Sequence, residues 1–216
     1  MKLTNQQITE IDETLVSKGI KYDDVKLEVL DHIASEIENE MEVTQKGFPE
    51  VFKQVFDSWS EEFKMTRAFF SLNTYYPKLA KSKFGNQLKS ELIVALVFSL
   101  VLFSSFQLIS DSNTKLEFLF WVKQVLFYTY FTTVAVALLI KYFTLKSKVT
   151  STYKQLFDSR FAVSIIFLSV IFNDRIPQDP TNQNLFVLTI GCLFVFAASI
   201  VYVGVKHFQF QRKFSI

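Results

Sequence analysis

Apolar residues along this 216-residue chain change their rhythm near residue 90. Before that point they recur at intervals of three and four, the pattern of helices that bury one face. After it they gather into blocks long enough to cross a bilayer. In the first region Thr4 is placed to cap a helix on which Ile8, Ile11 and Leu15 share a face, and Gly19 suits its C-terminal end. Asp23 is placed to cap a second helix running to about Val43. One of its faces carries Leu30, Ile33, Ile37 and Met41, and the other Glu28, Glu36, Glu38, Glu40 and Glu42. Gly47 interrupts the pattern and Pro49 fits the first turn of a third helix. There Phe52, Val55, Phe56, Trp59, Phe63 and Phe70 form an aromatic stripe that reads as core, not as a cofactor box. Three helices of this size bury a modest core, which docking on the membrane portion or homo-oligomerisation would strengthen.

A bilayer core about 30 Å thick needs roughly 20 helical residues. Leu92 to Ile109, a stretch within Phe118 to Phe143, and Leu185 to Val205 meet this requirement. Phe161 to Phe172 is shorter; started at Leu156, it reaches about 17 residues or ~26 Å. Charge favours counting it as a span, because cytoplasmic flanks collect Lys and Arg. With four spans, Lys78, Lys81, Lys83, Lys89, Lys141, Lys146, Lys148, Lys154, Arg160, Lys206, Arg212 and Lys213 all fall on one side, with Asp158 and Arg160 at the cytoplasmic headgroups. Without it, the C-terminal cluster moves to the other side.

The expected fold is therefore all-α. An acidic three-helix cytoplasmic domain (1–75) leads through a basic juxtamembrane linker (76–90) to a four-span membrane domain (91–216), with spans at about 92–109, 119–141, 156–172 and 185–205. The first residues, MKLTNQQITEIDETL, lack the apolar stretch of a signal peptide. Insertion is then expected to start at the first internal span, leaving both termini in the cytoplasm of a multi-pass inner or plasma membrane protein.

Charge and composition sharpen this division. Residues 1–75 carry 15 acidic and 8 basic side chains, a balance of −7, whereas residues 76–216 carry 6 and 15, a balance of +9. The first balance suits solvent and the second suits anionic lipid. Cys192 is the single cysteine, so no intrachain disulfide or cysteine-based metal cluster can form. With five glycines and no phosphate-cradling loop, a nucleotide site is not expected. No nucleophile motif appears, so neither catalytic, cofactor-binding nor metal-binding residues are nominated, and the chain is read as a non-enzyme without direct nucleic-acid contact. Glu28, His32 and Glu36 recur every four residues on one helical face. They fall short of a metal site without ligands from elsewhere, and are read with Asp31 as a partner-facing polar patch. Glu91 and Lys123 sit near span ends, in interfacial positions. Ala197, Ala198 and Gly204 would let the last span approach a neighbour closely.

The segment KGIKYDDVKLEVLDHIASEIENEMEVTQKGFPEVFKQVFDSW resembles the HAAS-type helical domain of bacterial membrane proteins, over about residues 5–65. Asp31, His32, Ile33, Glu36 and Ile37 carry most of the resemblance, while the Leu-Gly that commonly closes the family's third helix is replaced by Trp59 and Ser60. Members place this unit before several membrane spans, often beside PadR-like regulators, so the resemblance implies a cytoplasmic regulator as partner alongside the lipid bilayer. The expected function is a membrane-anchored regulatory or sensory protein whose helical domain binds a protein. The alternative is a small transporter or an accessory subunit of a membrane transport complex, for which Ser104, Ser105, Gln107, Thr132 and Thr133 are the candidate interior polar residues.

Overall fold

The computed structural model describes residues 2–67, 75–173 and 176–214. The chain is almost wholly helical. In order it forms α1 (Asn5–Ser17), α2 (Asp23–Thr44), α3 (Phe48–Ser58), α4 (Ser60–Phe63), β1 (Met65–Arg67), β2 (Tyr75–Pro77), α5 (Lys78–Gln107), α6 (Ser112–Lys146), α7 (Thr152–Asn173) and α8 (Pro180–Phe214). It divides into two compact units. The first comprises Met1–Gly85 together with Lys148–Thr152, and the second Asn86–Ser147 with Tyr153–Ile216.

Local chemistry sets the helix ends of the first unit. Thr4 caps α1 in a reciprocal box: its hydroxyl accepts from Gln7 N at 3.3 Å, and the Gln7 side chain accepts from Thr4 N at 2.8 Å. Gly19, at φ +86°, ends the turn after α1, in a backbone region that other residues adopt only with strain. Tyr22, not Asp23, is the N-cap of α2, because the Asp23 carboxylate is engaged elsewhere. Gly47 precedes α3 and Pro49 sits in its first turn. Ile11 and Leu15 of α1, Ile33 and Ile37 of α2, and Val55 and Phe56 of α3 meet in one core. Each such side chain contributes about 1.5–3 kcal/mol by leaving water. Ile8, expected among them, stays 36% exposed and is not part of that core.

The aromatic stripe does not run through one helix. Ser58 turns its hydroxyl back onto Val55 O at 2.7 Å, where α3 ends. Trp59 then donates its indole N–H to Glu36 on α2 at 2.8 Å, and Phe63 enters the core from the single turn of α4. The chain continues extended, pairing β1 antiparallel with β2 in the register Met65 to Pro77. Phe70 lies outside the described residues. Beyond β2 the chain becomes helical at Lys78 and stays so to Gln107, so the basic stretch expected as a linker is the beginning of α5.

In the second unit the main packing is between α6 and α8. Leu126 and Tyr130 lie against Ile190 and Ala197, and further along Gly204 backs so closely onto Ile140 that a Cβ there would stand 2.8 Å from Cγ2. Ala198, the other small residue of that run, faces outward. Only a narrow line of α5 is buried, marked by Ser99 and Phe106. Ser99 lies directly over Gly191 of α8, where a Cβ would fall 2.6 Å from the Ser99 Cα. That is the close backbone approach small residues permit between apolar helices.

The outside of this unit is apolar. Leu92, Leu96 and Val97 on α5, Trp121 and Leu139 on α6, and Ile166 on α7 are each more than half exposed. Apolar surface of this extent marks a membrane or a partner. Gly85–Gln107, Ser112–Lys146 and Pro180–Lys213 are long and apolar enough to cross a membrane; α7 is not among them over the described residues.

Candidate functional site

Two polar arrangements stand out, one in each unit. In the first, the N-terminus of α2 grips the segment connecting α6 to α7. Asp23 N donates to Thr150 O at 2.7 Å, and its carboxylate accepts from Thr150 N at 2.7 Å and from the Thr150 hydroxyl at 3.0 Å. The Thr150 hydroxyl also lies 2.6 Å from Lys21 O. One residue along, Asp24 accepts from Thr152 N at 2.9 Å and from the Thr152 hydroxyl. Asp24, Ser151 and Thr152 are all buried. Since Thr152 opens α7, its N–H is one of the donors a helix leaves unpaired at its start, and a carboxylate is the group that best satisfies it. Buried hydrogen bonds to an ionised acceptor in low-dielectric surroundings are stronger than exposed ones.

The polar patch expected on α2 separates into two roles. Glu28, Asp31 and His32 are exposed along the helix, whereas Glu36 is part-buried and holds the Trp59 indole. No group of three or more His, Cys, Asp or Glu side chains suited to a metal ion occurs among the described residues.

The second arrangement lies inside the apolar unit. Arg160 of α7, 8% exposed at its side chain, pairs with Glu91 of α5 at 2.7 Å, and its guanidinium also reaches the Ser199 carbonyl of α8 at 3.5 Å. Two residues earlier on α7, Asp158 pairs with Lys141 of α6 at 2.7 Å. His207 is fully buried on α8, two turns past Ser199. All four long helices thus contribute a polar group near one end of their apolar runs. The expectation placed Arg160 and Glu91 singly at span ends; the structure adds that the two are paired with each other. Each charge is bordered by apolar sequence, and Arg160 is neutralised by a partner, as a guanidinium in such surroundings requires.

The polar residues nominated for a transport path are mostly elsewhere. Ser104, Ser105 and Thr132 face outward and bond the backbone of their own helices, and Gln107 is exposed with its amide 2.7 Å from Asn184. Thr133 alone of the five is buried. The sequence did carry a signal for the pair that was missed. Glu91 and Arg160 each stand immediately before an apolar run, and the fold brings the two together.

These features define an all-helical protein with three helices suited to crossing a membrane. No family model matches the chain, and no curated protein or solved structure is significantly similar to it.

Proposed function

We propose that this chain is a membrane-anchored regulatory or sensory protein. Its first unit is the cytoplasmic protein-binding domain, and α5 to α8 are four membrane spans with both termini in the cytoplasm. The observation that carries this reading is the grip of Asp23 and Asp24 on Thr150 and Thr152. It ties the domain to the connection between two apolar helices, so a shift in that connection alters the hydrogen bonding at the start of α2. The exposed Glu28, Asp31 and His32 follow on the same helix, and a partner bound there would sense the change. The resemblance to HAAS-type domains suggests a soluble, PadR-like regulator in that role. The test is capture with the intact protein in lipid nanodiscs, comparing the wild type with Glu28→Lys/Asp31→Lys/His32→Ala. A regulator held by the wild type and released by the triple variant supports the reading. Equal capture by both refutes it. A reporter after Arg212 that reads as external would refute the topology.

The buried Glu91–Arg160 pair favours transport as the second reading, since charges within a membrane unit often mark an ion or solute path. Solute flux into liposomes that is abolished by Arg160→Met would support it.

A further inference from the structure

The first helical turns of α6, together with Ile176 and Gln178, border a shallow, open cavity of about 310 Å³, lined by Leu116, Glu117, Phe120, Trp121, Ile176 and Gln178. Glu117, Phe120 and Trp121 are spaced by three and four residues, which puts a carboxylate and two aromatic rings on one side of the helix. The two rings meet edge to face, 5.9 Å apart at 78°, and both are exposed. Glu117 is exposed and forms no hydrogen bond or ion pair with another described residue. The nearest cation along α6, Lys115, is turned onto the Phe106 ring at 5.3 Å.

The length of α6 places this cavity at a definite level. Its 35 residues extend about 52 Å, which exceeds a hydrocarbon core of about 30 Å by about 10 Å at each end. Glu117 lies about 8 Å along the helix from Ser112, so it sits in the headgroup layer, where Trp is also favoured. A carboxylate next to aromatic ring faces attracts an ammonium group by charge and by the ring quadrupole. The same carboxylate repels anionic headgroups. We propose that this cavity binds the ammonium group of a zwitterionic phospholipid, phosphatidylethanolamine being the probe of choice. The inference rests on α6 crossing the membrane and is independent of any protein partner.

The experiment uses the delipidated full chain in mild detergent, titrated with phosphatidylethanolamine or phosphatidylglycerol and read by native mass spectrometry for bound lipid. Phosphatidylethanolamine should be retained in preference, and Glu117→Gln and Trp121→Leu, both at exposed positions, should each weaken retention about fivefold or more. In a Trp59→Phe background Trp121 is the remaining tryptophan, and its emission should shift with phosphatidylethanolamine and not with phosphatidylglycerol. Equal retention of both lipids, or unchanged retention in Glu117→Gln, overturns the proposal. So does full displacement by free ethanolamine at matching concentration, which would make the cavity an amine site and not a lipid site.

Discussion

Asp24→Ala removes a buried carboxylate that accepts two hydrogen bonds from Thr152, itself buried, and leaves both donors without their acceptor. A hydrogen bond to a charged group is worth about 1.5–3 kcal/mol net. The two share one carboxylate and do not add fully, and the wild type already bears the cost of burying the charge. The expected loss is about 3 kcal/mol, a large share of the roughly 3–5 kcal/mol that a core of this size supplies. Hydrogen exchange of the full chain in nanodiscs reads it directly. The slowest amides of α1 to α3 should exchange roughly 100-fold faster, since about 1.4 kcal/mol is a factor of ten, while those of α6 and α8 stay unchanged. Asp24→Asn, which keeps an acceptor, should fall between. Asp12→Ala, which removes a part-exposed pair with Lys26 at 2.9 Å, should cost no more than about 1 kcal/mol. Exchange in Asp24→Ala within about threefold of the wild type would refute the assigned role of this carboxylate.

Arg160→Ala should destabilise the second unit by about 3–5 kcal/mol by stranding Glu91, and the double variant Glu91→Leu/Arg160→Met should recover most of that in thermal unfolding in detergent. Ser99→Cys should crosslink to native Cys192 under mild oxidation, because Ser99 Oγ and Cys192 Sγ are 3.5 Å apart, and adding Gly191→Leu should abolish the crosslink by forcing α5 away. Asp111 caps α6 by accepting from Thr114 N at 2.8 Å, and this backbone hydrogen bond holds its carboxyl below the ordinary aspartate value of 3.8. A depressed value means the cap is fully in force above the ordinary value and is lost as pH falls through the lower one. Protection of the Thr114 amide should therefore persist at pH 5 and vanish at strongly acidic pH, and Asp111→Ala should remove this dependence.

Much of the helical framework was legible because it depends on neighbours in sequence. Thr4 with Gln7, Gly19, and Gly47 with Pro49 declare their helix ends locally, and Ile11, Leu15, Ile33 and Ile37 declare a core by their spacing. The stripe through Phe63 was misread as one helix because its period survives a break: α4 returns Phe63 to the same core after Trp59 has left the axis for Glu36. The polar sites were the least legible. Asp23 looks like an ordinary cap until Thr150 arrives from 127 residues away, and Arg160 shows no partner along the sequence until Glu91 is brought beside it. Long-range pairing leaves no periodicity to read. Ser99 was likewise invisible as a packing residue, since its role appears only against Gly191.

The first unit is discontinuous in sequence, and that sets an order of events during synthesis. Its last five residues, Lys148–Thr152, are separated from Gly85 by 62 intervening residues. At about 5–20 residues per second that is an interval on the order of several seconds. Through that interval Asp24 has no Thr152 to hold, while most of α5 and all of α6 are being made. Completion of the first unit thus waits on synthesis of the apolar helices that interrupt it, and a nascent chain that ends before Lys148 carries this unit without the partners of Asp23 and Asp24.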